Sequence, residues 1–293
     1  MKMKESIDYK IFQVFNLGIM WFIVLATLYP FYYIGIASFS SESAVILGKV
    51  TIWPVEFTMR AYEKVIENPS FWIGYKNSII YTSFSTMIGL VMTVTCAYPL
   101  SKKGLPGKNF MMKAITFTMF FSGGMVPNYL LIRSLGWIDT IWAITVPGAI
   151  SVWNMIIMRT YFQGLPESLE EAAVIDGLSP IGVLVKIVLP LSKPILATIG
   201  LFIAVNQWNN WFGPLIYMNS NIKYPITLFL RNIIEGAQMQ AQSPTVTGDE
   251  LANLPGETLK AAAILIVAVP IICVYPFVQK YFVKGMMIGS IKE

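Results

Sequence analysis

The residues of this chain that could do chemistry do it without making or breaking bonds. No His occurs anywhere in the 293 residues, which removes His-ligated metal centres and Ser-His nucleophiles. Cys96 and Cys273 both fall inside apolar stretches and read as small buried hydrophobes, with neither a disulfide nor a metal site indicated. Gly104-Leu105-Pro106-Gly107-Lys108 is too short for a phosphate loop, and no Ser or Thr follows the lysine. No pair of carboxylates lies within an apolar stretch, so an enzyme is not expected. What remains is hydrogen bonding and stacking. Asn206-Gln207-Trp208-Asn209-Asn210-Trp211 crowds amides and indoles into an otherwise apolar segment, and Asn128 and Asn154 are further amides in apolar surroundings. Amides are costly in lipid and should face protein or water. They either line a polar path or hydrogen-bond between packed helices. Residues three or four apart share a helical face, which groups Asn206 with Asn209 and Asn210, and Trp208 with Trp211. The amide face is expected to turn to a cavity and the indole face partly to a neighbouring helix.

A second stretch, Leu165 to Pro194, is polar at its start and jointed in the middle. Ser168 and Glu171 have capping-box spacing, and Ala172 and Ala173 favour helix. Asp176-Gly177 supplies a stop, because Gly accepts the left-handed conformation of a helix C-terminus. Ser179-Pro180 restarts the chain, and Pro190 and Pro194 limit the second helix. The expected result is a polar elbow of two short helices between long apolar segments.

The elements that must hold these residues are membrane helices. The composition is 55% hydrophobic and 13% charged, against about 25% charged in soluble domains. Six charge-free runs are long enough to span: Ile11 to Ser41, Asn77 to Ser101, Ala114 to Ile132, Thr140 to Met158, Pro194 to Ile222 and Ala261 to Gln279. The fold predicted is all-α, a polytopic membrane protein with six transmembrane helices. The first run is too long for a cleavable signal peptide. It carries Tyr29, Phe31, Tyr32 and Tyr33 near its outer end, with a kink expected at Pro30. With both termini inside, thirteen of the 21 Lys and Arg fall in cytoplasmic segments, among them Lys102, Lys103, Lys108 and Arg159. The net charge of +5 is read as this orientation signal, and not as a nucleic-acid footprint. The same orientation places the elbow in the cytoplasm. Thr58 to Glu63 suggests a short surface helix. Ile226, Phe229, Leu230 and Ile233 suggest an amphipathic helix on the outer surface, followed by a loose Gln238 to Thr247. In the third run, Phe121 to Tyr129 contains Gly123, Gly124 and Pro127, which either break the helix beside a cavity or let helices pack closely.

Glu171-Ala172-Ala173, Asp176-Gly177, Ile187 and Leu189-Pro190 resemble, in type and spacing, the "EAA" loop of ABC-importer permeases. Phe121 to Tyr129, with Leu135 to Thr140 after it, resembles the carbohydrate branch that serves complex oligosaccharides and polysaccharide fragments. The resemblance implies the type I permease fold in a bacterial cytoplasmic membrane. It divides the chain into a lead of 1–76, a core of 77–282 with a coupling loop at 162–193, and a tail of 283–293. Partners implied are a second homologous permease, an ATPase dimer, an extracytoplasmic sugar-binding protein and membrane lipid. No cofactor is bound directly, and ATP and Mg belong to the ATPases. The coupling set implied is Glu170, Glu171, Ala172, Ala173, Asp176, Gly177, Leu189 and Pro190. Glu171 would meet the ATPase cleft, and the two alanines would let the helix seat closely. A sugar offers hydroxyls to amides and apolar faces to rings, so Asn206, Trp208, Asn209, Asn210, Trp211, Asn128 and Asn154 would suit its path. The alternatives are an importer for amino acids or peptides and an ion-coupled transporter. The latter would need ionisable groups within the spans, and the charge-free runs argue against it.

Overall fold

The computed structural model describes residues 7–242 and 256–290, and all regular structure among them is helical. Three of the apolar runs form helices long and apolar enough to cross a membrane without interruption. These are α1 (Ile7–Ser38), α4 (Pro69–Ser101) and the Glu257–Val274 part of α15 (Glu257–Ser290). α1 continues through Pro30 as one helix, and α4 passes Pro99 to end at Ser101. The other runs are jointed. The third becomes α5 (Lys108–Phe117) and α6 (Met125–Ser134), and the fourth α7 (Trp142–Thr145) and α8 (Val152–Gln163). The fifth becomes α12 (Lys193–Trp208), α13 (Phe212–Tyr217) and a 3-10 turn at Asn221–Lys223.

Each joint has a local cause. Gly124 takes φ 83°, a value that L side chains rarely adopt, and no atom lies within 4 Å of where its Cβ would be. Gly124 therefore breaks the helix of the third run, and no neighbour within the chain packs against it there. Pro147 cannot donate a backbone hydrogen bond, so the fourth run opens between Thr145 and Val152. Ser151 restarts it, its hydroxyl accepting from the Asn154 N–H at 3.4 Å.

The chain forms two compact units. One comprises Met1–Pro69 with Leu230–Ala268. Its helices include α2 (Glu42–Ile46) and α3 (Arg60–Glu67), the latter starting two residues after the predicted surface helix. Ile36, Ala44 and Val50 form its small core. The Glu42 carboxylate accepts from the N–H groups of Glu257 (2.7 Å) and Thr258 (3.0 Å), placing an anion on the N-terminus of α15.

The second unit comprises Ser70–Phe229 with Val269–Glu293. Here the N-terminal end of α14 (Ile226–Gln242) is seated in protein instead of lying on an outer surface. Ile226 and Leu228 are 0% and 1% exposed, and the Ile226 N–H donates to Ser78 Oγ at 2.9 Å. α14 also reaches Gln242, so residues 238–242 are helical where a loose segment was expected, and 243–247 lie outside the described residues.

Asp139 fastens the segment after α13. It is a non-Gly residue at φ 61°, and its Oδ1 accepts from the Asn219 and Ser220 N–H groups at 3.0 and 3.1 Å. Its Oδ2 meets the Ser220 hydroxyl and the Lys223 ammonium, both at 2.7 Å. The Lys223 ammonium foremost, with the donors from Ser220 and Asn219, holds this carboxyl well below the usual carboxylate range. A lowered carboxyl stabilises above its unfolded value of about 4 and loses that contribution as pH falls through the folded value. Asn tolerates a left-handed backbone and keeps one acceptor. Asp139→Asn should therefore lower the melting temperature of the detergent-purified chain less than Asp139→Ala. The alanine variant should cost roughly 1–3 kcal/mol through unpaired donors. Equal melting of the two variants would remove the clasp from this account.

Candidate functional site

The elbow is built from α9 (Glu167–Ile175), then α10 (Pro180–Val183), a π-turn at Leu184–Val188 and α11 (Leu189–Leu191). α9 begins two residues earlier than the Ser168–Glu171 spacing suggested. Pro166 is its N-cap, and no side chain caps it. Its end is as predicted. Gly177 takes φ 82°, its N–H donates to Val174 O at 3.0 Å, and the Leu178 N–H donates to Ala173 O at 3.0 Å. That pair of bonds is the Schellman closure. Ser179 caps α10, accepting from the Gly182 N–H at 3.2 Å. Pro190 has no N–H for Lys186 O, and just before it the helix widens, so that the Leu189 N–H donates to Leu184 O five residues back. The helical run Pro180–Leu191 then meets α12 at 84°. The Tyr161 hydroxyl holds that corner by donating to Leu191 O at 3.1 Å.

Charge fixes the elbow to the end of α4. The last carbonyls of α4 are capped by cations: Arg159 Nε donates to Leu100 O at 2.8 Å, and Lys108 Nζ to Ser101 O at 3.4 Å and, just past the helix, to Lys102 O at 2.7 Å. Lys102 and Lys103, just beyond, pair with Glu170 and Glu167 in the first turn of α9. The Tyr98 hydroxyl also donates to Glu170 at 3.0 Å. The Glu167 carboxylate holds the Lys103 ammonium above its usual range, with Glu171 adding to the effect. Glu170 is therefore engaged within the chain, whereas Glu171 is exposed. The two alanines part company. Ala172 is exposed, but Ala173 is 4% exposed and packs in the chain's own core with Phe162, Val183 and Val188. Asp176 is the C-cap of α9, Leu189 packs partly against that core, and Pro190 is exposed. Ile175 and Ile181 were missed by the sequence reading and stand 85% and 75% exposed beside the bend. Their signal was available: apolar residues flank the Asp-Gly stop on both sides in sequence.

The amides divide between a cavity and its surroundings. A cavity of about 450 Å³ is walled by α4, by the joint between α7 and α8, and by the α12–α13 region. Its polar groups include Ser85, Asn154, Asn206, Gln207 and Asn210, and its rings include Trp153, Phe202 and Tyr217. Asn209 is not on this wall. α12 ends at Trp208, so the three-or-four spacing no longer applies to the residues after it. Asn209 Nδ2 instead donates to Val205 O at 2.9 Å, and Asn210 Oδ1 accepts from the Gly213 N–H at 3.1 Å. Trp208 is 6% exposed and edge-on to Tyr75 at 5.7 Å, and it does not line this cavity. Trp211 packs edge-on to Phe212, and Asn128 is exposed in the first turn of α6, off this cavity. Gln207, Trp153 and Tyr217 join the wall, although the grouping by face had not placed them there. Among the described residues no group of three or more His, Cys, Asp or Glu could hold a metal.

Comparison with known proteins supplies the family. Residues 69–288 match the family described as "Binding-protein-dependent transport system inner membrane component". The chain belongs to that family. It is a permease subunit of an ABC importer, not an enzyme, and in this family the ATPase is a separate subunit. This permease is 42% identical to Protein LplC of Bacillus subtilis strain 168, over 97% of this chain and 95% of that protein. It is 36% identical to the "Polygalacturonan/rhamnogalacturonan transport system permease protein YtcP" of the same organism, over 97% of this chain and 99% of that one. Among solved structures, a bacterial ABC transporter involved in the import of the acidic polysaccharide alginate contains a chain that matches with a TM-score of 0.84 and 35% identity. That match covers 96% of this permease and 100% of that chain. The all-α architecture with several apolar helices is thus the ABC importer permease fold.

The Lys102–Glu170 pair predicts a measurable stiffness. Lys102→Glu should speed amide hydrogen exchange across residues 167–176 by about two- to fivefold, the range for a partly exposed ion pair. Adding Glu170→Lys should restore much of the protection. If the double variant exchanges as fast as the single one, the pair does not hold the elbow.

Proposed function

We propose that this permease carries an oligosaccharide or polysaccharide fragment by alternating access, a cargo class that fits the polygalacturonan/rhamnogalacturonan permease and the alginate importer it resembles. The observation that carries the reading is the cavity wall. Neutral amides and hydroxyls alternate there with Trp153, Phe202 and Tyr217, a lining that can hydrogen-bond ring hydroxyls while stacking on apolar sugar faces. Asn154, Asn206 and Asn210 are the path residues favoured by that lining. Asn209, Trp208, Trp211 and Asn128 do not line that cavity.

In this reading the elbow, within a coupling loop of 162–193, docks on one subunit of an ATPase dimer that holds ATP and Mg. A second homologous permease completes the membrane domain, and a sugar-binding protein delivers the cargo from outside. The core is 77–282, between a lead of 1–76 and a tail of 283–293, and both termini are cytoplasmic. The docking surface is formed by Ile175, Ile181 and Glu171, whose side chains face outward, while Glu170 and Ala173 hold the elbow to the permease itself. Gly177 and Asp176 set the bend, and Leu189-Pro190 the return to α12.

The complete importer reconstituted in proteoliposomes tests the reading directly. Uptake of trigalacturonate or maltotriose should depend on ATP and on the binding protein, and a tripeptide should not be taken up. Burying an Ile side chain contributes about 1.5–3 kcal/mol. Ile175→Asp should therefore weaken capture of the ATPase by tenfold or more in co-purification. Capture at wild-type yield would move the docking surface elsewhere.

Orientation has its own test. Single cysteines at Ser168 and Thr51, in a background lacking Cys96 and Cys273, should label from opposite sides of sealed vesicles. Ser168 should react only from the cytoplasmic side. Reaction of that position from outside would overturn the orientation and the docking assignment together.

A further inference from the structure

Ser85, on α4, brings to the cavity wall a hydroxyl that hydrogen bonding within the protein does not explain. The residue is 5% exposed, and its hydroxyl oxygen is buried without a protein hydrogen-bond partner. Hydroxyls on apolar helices ordinarily return to the carbonyl one turn back. They do so elsewhere in this permease: Thr95 donates to Val91 O at 2.8 Å, Thr160 to Ile156 O at 2.9 Å and Thr198 to Pro194 O at 2.9 Å. Thr82, Thr86 and Thr93 on α4 share the unpaired state with Ser85. Of those four, it is Ser85 that stands on the wall of the 450 Å³ cavity.

The backbone around it is arranged to keep it there. One turn further along α4, a Cβ on Gly89 would come within 3.0 Å of the Ile203 side chain and 3.2 Å of Ala149 O. Gly89 thus lets α4 press against both α12 and the α7–α8 joint, which supply the rest of the wall. Asn154, 8% exposed, and Asn206, Gln207 and Asn210 share that wall with Ser85. All of these polar groups are neutral, and no Lys or Arg lines the cavity among the described residues.

We propose that the Ser85 hydroxyl contacts the transported molecule, and that this wall reads the hydroxyl groups of the cargo and not its charge. The inference rests on the oligosaccharide reading above and names a residue and a chemistry within it. A buried hydroxyl both donates and accepts, and leaving it unpaired is costly. When alternating access opens this wall and uncovers the Ser85 oxygen, a ring hydroxyl of a sugar supplies the missing partner, while the amides take its neighbours. A carboxylate would meet no countercharge here, so an acidic sugar presents its hydroxyl edge to Ser85 and directs its carboxylate away.

The complete importer, with its binding protein, tests this on trigalacturonate or maltotriose, whichever the wild-type complex takes up. Ser85→Ala should raise the half-saturating sugar concentration for uptake about two- to tenfold, the worth of one hydrogen bond. Thr86→Ala removes an equally unpaired hydroxyl off this wall and should leave that concentration unchanged. Ser85→Cys, in the background lacking Cys96 and Cys273, should react with a small uncharged methanethiosulfonate, and saturating sugar should slow the reaction several-fold. Failure of the wild-type complex to import either sugar would overturn the oligosaccharide reading and this one with it. Wild-type import combined with an unchanged Ser85→Ala, with an equal effect of Thr86→Ala, or with labelling of Ser85→Cys indifferent to sugar, would overturn this one alone.

Discussion

In an apolar surrounding a backbone N–H or C=O left bare costs several kcal/mol, and continuous helix is the usual way to avoid that cost. α1, α4 and the start of α15 satisfy the requirement along their whole apolar length. The fourth and fifth runs do not, and their joints are where the cavity lies. Thr145, Pro147, Gly148 and Ser151 come from one break, Asn210 and Gly213 from the other, and all of them line the cavity. Breaking a helix frees backbone groups, and the side chains at the broken ends answer them: Ser151 accepts from Asn154, and Asn210 accepts from Gly213. The polar residues that equip the cavity are in part those that make the broken backbone tolerable.

The elbow depends on a second use of helix ends. A helix presents partial positive charge at its N-terminus and partial negative charge at its C-terminus. The end of α4 takes Arg159 and Lys108 on its carbonyls, and the first turn of α9 carries Glu167 and Glu170. Lys102 and Lys103 join the two ends. Bases that a topology count reads only as markers of the cytoplasmic side are therefore also the fastening between α4 and the elbow. With Glu170 and Ala173 held inward, the outward face is left to Glu171, Ala172, Ile175 and Ile181. A helix of nine residues cannot show the same side chains to its own core and to a partner. The division between the two roles is geometric.

Much of the elbow was legible because its signals are local. The left-handed Gly177, the Ser179 cap with Pro180 behind it, and the stop before Lys193 each depend on a few consecutive residues. The capping box at Ser168 was misjudged because Pro166 starts the helix earlier, and a spacing rule alone cannot rank two competing starts. The amide cluster was legible as a polar stretch beside a cavity and misjudged as a single face. Periodicity holds only while the helix lasts, and α12 ends at Trp208.

By itself the sequence determined the membrane class, the helical fold, the elbow with its stop and restart, and the family that those spacings resemble. Composition and short-range backbone preference suffice for each of these. Tertiary structure decided which polar groups meet. Ser85 is separated from Asn154 and Asn206 by long stretches of chain, and no spacing rule connects them; they share a wall because Gly89 lets α4 close on α12 and the α7–α8 joint. The pairing of Lys102 with Glu170 and the seating of α14 on Ser78 are of the same kind. Burial and long-range contact are properties of the packed chain, and a hydroxyl is recognisable as unpaired only after every neighbour that could have satisfied it is in place.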